Sequence, residues 1–253
     1  MTTTSLYTYD AAGQITSFTT DGRSEKYTYD AVGNMLEKYV GEQKITMTYD
    51  AANEMTSMSG AGGTIKYSYD ASGNLVSKNL GGKTDTYTYD VLGNLASYTG
   101  YDGYRQTYTY DALGNMHEKS VSGNGERTLL EEALLGEKKL SANNAADEWH
   151  TTRYTYDSTL SVPQVLTETT ENGTVKYEYG LERIAAYNSE SGKDTVKTQY
   201  VYDAGGSVVQ TVSQTLTEEM KASTAAPEVA SYAYTPFGEM LGEAVSGYGY
   251  NGE

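Results

Sequence analysis

The chain has 253 residues and a formal charge of −16, with 26 Tyr, 27 Gly, two Phe, three Pro and no Cys. The acidic charge argues against nucleic acid as a partner, which requires clustered Lys and Arg, and no apolar run of about 18 residues predicts a membrane span. The lack of Cys excludes disulfides and thiolate metal sites. Because Tyr and Thr favour strands and Gly favours turns, the composition predicts an all-β fold.

A Tyr-Asp pair recurs at a nearly constant spacing through the first half of the chain. Its six Asp residues are separated by 20, 20, 20, 20 and 21 positions. Each pair belongs to a longer phrase close to Tyr-Thr-Tyr-Asp-x-x-Gly-Asn, as in residues 27–34 and 87–94. Self-similarity at a fixed period indicates a repeat protein.

Each repeat predicts one β-hairpin. The two-residue period of a strand places both rings of Tyr-Thr-Tyr-Asp on one face, with Thr and Asp on the other. Asp favours the start of a type I turn because its carboxylate accepts backbone N–H groups, and Gly three residues later supplies a positive φ. In the third repeat Asn53 takes the Gly position, and Asn tolerates that conformation next best. The predicted structural turn residues are Asp10, Gly13, Asp30, Gly33, Asp50, Asp70, Gly73, Asp90, Gly93, Asp111 and Gly114.

After Asp111 the repeats become degenerate. Further copies occur at residues 154–157 and 200–203, while residues 177–180 end with Gly180 in place of Asp. We expect three parts along the chain, namely regular repeats over residues 1–119, an insertion at 120–153 and degenerate repeats at 154–253.

The insertion predicts one short helix within residues 126–140, where Leu and Ala form a partly amphipathic stripe. We interpret this helix as a local cover on the sheet, and a flexible insertion is the alternative. Residues 141–147 and 217–227 are rich in polar residues and predict loops. Residues 235–238, Thr-Pro-Phe-Gly, predict another turn.

These motifs resemble the Rhs/YD-repeat family, which includes bacterial polymorphic toxins, Tc toxin shell components and teneurins. Residues 162–166 and 179–184 are similar to the phrase that precedes the Rhs-associated core region in Gram-positive members. Residues 235–239 and 250–253 are similar to the opening of that core. The resemblance covers nearly the whole chain.

The resemblance implies that the repeats form an antiparallel meander of stacked hairpins, twisted and curled into the wall of a hollow shell. It implies a scaffold role in a secreted or surface-delivered bacterial protein, with the rest of the parent shell and a C-terminal toxin cargo as partners. The self-cleaving carboxylates of such relatives would lie beyond Glu253, so no catalytic residue is assigned. Residues 1–5 lack the features of a signal peptide, so we expect a start within a longer protein or another export route.

Twelve to sixteen strands at a spacing of about 4.8 Å predict a sheet roughly 60–75 Å wide. A sheet of this width can curl, and truncation makes it too small to enclose a protein cargo alone. Because open edges present unpaired N–H and C=O groups, self-association through them is expected.

Two ligand hypotheses follow from the repeated side chains. The Asp series suggests a metal ladder, yet equivalent Asp residues would lie about 9.6 Å apart, too far to share one ion. We therefore expect turn capping, with no metal and no cofactor. The Tyr stripe suggests a platform for sugar rings, and packing of Tyr across strands explains the same rings without a ligand. A cell-surface adhesin or carbohydrate-binding module that uses exposed Tyr ridges remains the alternative function.

Catalysis has little support in the sequence. The two histidines, His117 and His150, belong to no His-Glu-x-x-His motif, nucleophile elbow or zinc spacing. We therefore predict a protein that is not an enzyme.

Overall fold

The computed structural model describes residues 4–20, 22–122, 130–134, 148–216, 225–237 and 240–241. Within them the chain forms 19 β-strands and one short α-helix, which confirms the predicted all-β fold. No helix in this described part is long and apolar enough to cross a membrane.

The strands are four to nine residues long and follow one another with short turns. In chain order the elements are β1 (Leu6–Tyr9), β2 (Ile15–Thr20), β3 (Arg23–Tyr29), β4 (Met35–Val40), β5 (Gln43–Tyr49), β6 (Met55–Gly60), β7 (Gly63–Tyr69), β8 (Leu75–Leu80), β9 (Lys83–Tyr89), β10 (Leu95–Thr99), β11 (Arg105–Tyr110), β12 (Met116–Ser122), α1 (Leu130–Leu134), β13 (Trp149–Asp157), β14 (Gln164–Thr169), β15 (Gly173–Tyr179), β16 (Arg183–Glu190), β17 (Val196–Tyr202), β18 (Val208–Thr215) and β19 (Glu228–Ser231).

The chain divides into two compact units. The first comprises Met1–Tyr108 and Ser120–Trp149, and the second comprises Thr109–Lys119 and His150–Glu253. In the first unit, β1 to β11 pair antiparallel in chain order. In the second unit, β13 to β19 do the same. Both units are therefore antiparallel meanders, as predicted.

Each repeat contains a forward strand that ends in Tyr-Asp and a return strand that follows the turn. In the second repeat the forward strand is β3 and the return strand is β4, and their register runs from Glu25↔Val40 to Thr28↔Glu37. The register then shifts so that Tyr29 lies opposite Met35. Similar shifts occur beside the Tyr-Asp turns of β1, β5, β7 and β9. The extra residue in the return strand is a β-bulge, which bends the strand next to the turn.

The two faces of the first unit differ in burial. The tyrosine face, defined as the face that carries both Tyr of each Tyr-x-Tyr-Asp phrase, holds the buried side chains of the strands. These are Phe18, Glu25, Tyr27, Ile45, Met47, Ile65, Leu80, Asp85 and Tyr98. The opposite face is more exposed and carries pairs of Ser and Thr, such as Thr48 and Ser57, whose hydroxyls lie 2.7 Å apart.

Helix α1 lies on the tyrosine face of the first unit, against β7 and β8. Its Leu130 and Leu134 form a buried cluster with Ile65 and Leu80. The helix is five residues long, shorter than the stretch of residues 126–140 in which it was predicted. The flanking positions of that stretch lie outside the described residues, as do the predicted loop at 141–147 and residues 217–224 of the predicted loop at 217–227.

The predicted number of strands was too low. Twelve to sixteen were expected, whereas the described residues contain 19. The difference arises after residue 111, where the Tyr-Asp phrase degenerates and the strands persist. Residues 177–180 illustrate this, because β15 pairs with β16 through a turn that has Gly180 in place of Asp.

Candidate functional site

The Tyr-Asp turn is the repeated site of the molecule, and its hydrogen bonds start from the Asp carboxylate. In the fourth repeat, Asp70 Oδ1 accepts from the backbone N–H groups of Ser72 and Asn74, at 2.8 and 3.0 Å. Asp70 Oδ2 accepts from Asn74 Nδ2 at 2.9 Å. The backbone closes the same turn, because Gly73 N donates to Asp70 O and Asp70 N donates to Asn74 O. The Asp side chain thus caps the turn by accepting hydrogen bonds from two of its residues, Ser72 and Asn74.

The same carboxylate bonds recur in every regular repeat. Oδ1 accepts two backbone N–H groups at Asp10, Asp30, Asp50, Asp70, Asp90 and Asp111. The side chain of the Asn four positions later donates to the second oxygen in four of the six turns, at Asp30, Asp70, Asp90 and Asp111. The structure thus places the predicted Asp residues at the turns, one per hairpin.

The residue three positions after Asp has a positive φ in each of these turns. Gly13, Gly33, Gly73, Gly93 and Gly114 have φ between 82° and 100°. Asn53 takes this position in the third repeat with φ 64° and is the one non-Gly residue with positive φ among the described residues. A β-carbon disfavours this conformation, and Asn tolerates it better than most residues.

In turns where the Asn side chain donates to the Asp carboxylate, hydrogen bonding lowers the pKa of that carboxylate, as at Asp70 and Asp90. The bonds from Asn74, first through its side chain and then through its backbone, hold the pKa of Asp70 below its ordinary value. The equivalent Asn lowers the pKa of Asp90 in the same way. Glu54 differs, because burial and the charges of Asp50 and Asp70 raise its pKa. The third repeat therefore has a carboxylate where its neighbours have a neutral amide donor.

A second set of bonds joins each hairpin to the one before it. The Tyr that precedes the turn Asp donates its hydroxyl to a backbone carbonyl of the preceding return strand. Tyr49 OH lies 2.9 Å from Met35 O, and Tyr69 OH lies 3.0 Å from Met55 O. Further pairs include Tyr29–Ile15, Tyr89–Leu75, Tyr156–Met116, Tyr179–Val165, Tyr202–Arg183 and Tyr234–Val208. We call this set the tyrosine column.

The acceptor carbonyls belong to residues that lie just past the last backbone-paired residues of two neighbouring hairpins. The pairing between β4 and β5 ends at Glu37↔Thr46, and Glu37 is two residues after Met35 in β4, so Met35 itself has no partner in β5. Met35 lies opposite Tyr29 within its own hairpin and accepts the hydroxyl of Tyr49 from the next one. Because a buried carbonyl without a donor is costly, the Tyr hydroxyl supplies a bond that the strand cannot make. The tyrosine column thus extends the contact between hairpins beyond the ladder.

The hydroxyl explains why the chain uses Tyr almost to the exclusion of Phe. Burial raises the pKa of Tyr69 above its ordinary value, so its hydroxyl stays protonated and able to donate at neutral pH. Burial also raises the pKa of Tyr200 to about 12. A Phe ring would pack equally well and would leave the carbonyl unsatisfied.

Buried acids on the tyrosine face accept hydrogen bonds from Tyr hydroxyls. Glu25 is fully buried and accepts hydrogen bonds from Tyr27 and Arg23, while Lys38 Nζ lies 3.5 Å from its Oε2. Burial opposes ionisation, and these three partners outweigh it, so that the pKa of Glu25 is lowered. Asp85 is also buried and accepts from Tyr98 OH at 2.8 Å. Such pairing is the condition under which a buried carboxylate can remain charged.

Three other kinds of candidate site, namely a groove, a metal site and the two histidines, have fewer supporting contacts than the turn. A groove of about 590 Å³ lies between neighbouring Tyr-Asp turns and is lined by residues that include Asp70, Asn74, Tyr89 and Asp90. The part of the chain that the structure describes contains no group of three or more His, Asp or Glu placed to hold a metal ion. Of the two histidines, His117 is exposed on β12 and His150 Nδ1 lies 2.6 Å from Glu171 Oε1.

Comparison with known proteins identifies one family. The family model described as Teneurin YD-shell matches residues 2–129, which is half of the chain. None of the curated proteins compared with the chain matches it.

Solved structures with a similar fold are toxin complexes. The crystal structure of TcdB2-TccC3-TEV matches with a TM-score of 0.50 at 16% identity, covering 92% of this chain and 14% of that chain. The crystal structure of TcdB2-TccC3 has a TM-score of 0.49 with the same identity and coverage. A Tc holotoxin pore of Photorhabdus luminescens also has a TM-score of 0.49 at 16% identity, covering 90% of this chain and 14% of that chain. The chain therefore spans about one seventh of the length of these chains, and at a TM-score of 0.50 it shares the fold of the matched part of the TcdB2-TccC3-TEV chain.

Proposed function

The chain belongs to the teneurin YD-shell family, and from this we propose that it is a wall segment of a larger shell that encloses and presents a C-terminal toxic polypeptide. The role is structural. The chain supplies hairpins that join side by side, and the rest of the parent protein supplies the remaining wall and the cargo. A protein with this role would be secreted or displayed at the bacterial cell surface.

The tyrosine column is the observation that carries the proposal. A wall that encloses cargo has one face toward solvent and one toward the contents, so a single sheet cannot rely on a thick apolar core. This chain compensates with a hydroxyl-to-carbonyl bond between successive hairpins, such as Tyr49–Met35, repeated along the sheet. Polar rings on the tyrosine face also keep that face compatible with water or with a polar cargo surface.

The proposal is tested on the full parent protein with its cargo. Limited proteolysis of the assembled parent should leave the cargo intact, and electron microscopy should show an internal volume. Replacing Tyr29, Tyr49 and Tyr69 together by Phe should accelerate cleavage of the cargo, because the wall opens between hairpins. Tyr39→Phe is the matched control, since its hydroxyl bonds to Glu37 within the same strand.

Two results would contradict a shell. One is a solid particle without internal volume, and the other is a cargo that is cleaved at the same rate in the parent and in isolation. A glycan array with the isolated chain addresses the adhesin alternative, because a wall segment should bind no sugar selectively.

A further inference from the structure

The fifth hairpin of the first unit carries two tyrosines directly opposite each other. Tyr87 in β9 pairs with Tyr98 in β10, and their ring centroids lie 5.1 Å apart with the ring planes tilted by 48°. Cross-strand rings at this distance are in contact. The residues at the same two positions in the first four hairpins are Tyr7 and Phe18, Tyr27 and Lys38, Met47 and Met58, and Tyr67 and Lys78. Among these five hairpins, only the fifth therefore places two phenol groups side by side.

The Tyr98 hydroxyl is bonded to a buried carboxylate. Tyr98 OH donates to Asp85 Oδ2 at 2.8 Å, and Asp85 Oδ1 accepts from the backbone N–H of Tyr101 at 2.9 Å. Tyr98 and Asp85 are 6% and 3% exposed. A phenol that loses an electron becomes strongly acidic, so a carboxylate within hydrogen-bond distance is placed to take its proton at that moment. The hairpin thus combines a pair of phenol rings with a proton acceptor.

We propose that Tyr87 and Tyr98 form a site of oxidative cross-linking, at which a one-electron oxidant joins the two rings as dityrosine. Each ring gives one electron to the oxidant, so two oxidant molecules are each reduced by one electron. The Tyr98 proton passes to Asp85 Oδ2 and the Tyr87 proton passes to solvent, which leaves two phenoxyl radicals. The radicals couple through one ortho carbon of each ring, and the hydrogens on those carbons move to the oxygens. The net change is one new carbon–carbon bond and the loss of two electrons and two protons.

Partly exposed rings give an oxidant access to the buried one. Tyr87 is partly exposed, and so is Tyr104, whose ring centroid lies 6.3 Å from that of Tyr98. An electron can pass between rings at such separations, so the oxidant need not contact Tyr98 itself. The low exposure of Tyr98 then shields its radical from molecules in solution, and the ring of Tyr87 is the neighbour with which it can react.

The cross-link would be a covalent bond between β9 and β10. The chain has no Cys and cannot form a disulfide at this place. A bond between Tyr87 and Tyr98 closes a loop of the chain and restricts the unfolded state, as a disulfide does. We therefore expect the cross-linked chain to unfold at a higher urea concentration than the untreated chain.

Photo-oxidation of the full chain by a ruthenium tris-bipyridine complex with persulfate supplies the one-electron oxidant. Cleavage before Asp85, Asp90 and Asp102 by endoproteinase Asp-N releases residues 85–89 and 90–101. Mass spectrometry should find these two peptides joined, with two hydrogen atoms fewer than their sum. Fragmentation of the joined peptides should place the bond between Tyr87 and Tyr98.

Tyr87→Phe and Tyr98→Phe should each abolish this product, because a Phe ring has no phenol to oxidise. Tyr39→Phe is the matched control, since Tyr39 bonds to Glu37 within β4 and its hydroxyl is remote from both rings in the chain. Asp85→Asn keeps a hydrogen-bond acceptor and cannot take up the proton, so it should slow formation of the link by at least about tenfold. The rate in that variant should rise with pH, because solvent must then take the proton, and a purely structural loss would not produce this dependence.

The rings of Tyr7 and Phe18 are an internal reference, because their centroids lie 5.2 Å apart and only one of them is a phenol. No link should form between them. Dityrosine that lacks the joined product of residues 85–89 and 90–101, or that forms only between molecules, would overturn the proposal. An unchanged rate in Asp85→Asn would overturn the role of Asp85. Enclosure of cargo plays no part in this chemistry, so a failure of the cross-linking test leaves the protease-protection test of the shell untouched.

Discussion

Asn53 holds, with φ of 64°, the turn position that Gly33 holds with φ of 100° one repeat earlier. The Asn53 side chain also accepts a hydrogen bond from Asn34 Nδ2 at 3.0 Å, which links two successive turns. The position thus combines a backbone requirement with a side-chain bond, and the two contributions can be separated.

We expect Asn53→Ala to lower the free energy of unfolding by about 1 kcal/mol, because Ala does not tolerate a positive φ. Asn53→Gly should stay within about 0.5 kcal/mol of the wild type, since Gly relieves the backbone while losing an exposed side-chain bond. Urea denaturation of the two variants measures the change in the free energy of unfolding for each substitution. Equal destabilisation by Ala and Gly would show that the bond to Asn34 is what holds this turn.

Tyr49→Phe should lower the free energy of unfolding by about 1–2 kcal/mol. The ring still packs, and the carbonyl of Met35 loses its donor. Tyr9→Phe provides a matched control in the isolated chain, because it removes the same hydroxyl from a Tyr that has no acceptor for it among the described residues. That variant should remain within about 0.5 kcal/mol of the wild type. If both variants lose the same amount, the hydroxyl-to-carbonyl bond is not the cause.

Leu134→Ala should destabilise the first unit by about 2–5 kcal/mol, since Leu134 is fully buried against Ile65 and Leu80. Leu92→Ala is the control, because Leu92 is 79% exposed at a turn and should tolerate the change. Thermal unfolding followed by circular dichroism compares the two variants. A loss below about 1 kcal/mol for Leu134→Ala would mean that α1 contributes little to the stability of the unit.

The stability of the fold should depend on Asp70 at acid pH. The folded pKa of Asp70 is lower than its unfolded value of about 3.9, so its contribution is present above that value and is lost as the pH falls through the folded pKa. The stability difference between wild type and Asp70→Asn should therefore be largest above about pH 5 and should shrink below about pH 4. Urea midpoints at several pH values test this, with Asp194→Asn, outside the Tyr-Asp turns, as control. A difference that is constant with pH would contradict the prediction.

Glu54→Asn should stabilise the chain at neutral pH. The folded pKa of Glu54 is raised by burial and by Asp50 and Asp70, so its ionisation opposes folding once the pH exceeds its unfolded pKa. Asn at this position adds the donor to Asp50 that Asn74 gives to Asp70. The part of the gain that comes from the removed charge should shrink as the pH falls through the folded pKa of Glu54, whereas the part that comes from the new hydrogen bond should remain.

Gln14→Asn separates the two effects of that change, because it offers Asp10 the same amide donor without removing an acid. Its stability gain, measured by urea denaturation, should be smaller than that of Glu54→Asn at pH 7. An equal gain would assign the whole effect to the new hydrogen bond and none to the removed charge.

The turns could be predicted from the sequence because their determinants are local. Asp70, Gly73 and Asn74 lie within five positions, and each acts on the backbone of the same turn. The tyrosine column was missed, because its acceptors are backbone carbonyls 14 to 40 positions away that carry no residue signature. One signal was available. The first ring position of the phrase varies, with Met47 in the third repeat, whereas the second is Tyr in every copy.

The docking of α1 could be anticipated only in part. Its Leu stripe predicted a helix that covers the sheet, and the register on the sheet depends on contacts over long sequence separations. Leu134 O accepts from Gly62 N at 3.0 Å, and a β-carbon at Gly60 would lie 2.8 Å from the same oxygen. Lys78 donates to Glu131 at 2.6 Å, whereas Lys38 at the equivalent position has Glu25 from its own hairpin.

Each hydroxyl of the tyrosine column bonds only to the adjacent hairpin. The bonds of the column therefore do not depend on how many hairpins the sheet contains. Deletion of one whole unit outside the α1 contacts, such as residues 30–49, brings Asp50 to the position of Asp30, directly after Tyr29, and so preserves a donor, an acceptor and their spacing. Duplication of a unit does the same. Gene rearrangements in multiples of twenty codons are therefore compatible with the geometry of the tyrosine column, and the number of hairpins in the sheet can change during evolution without a new kind of contact between hairpins.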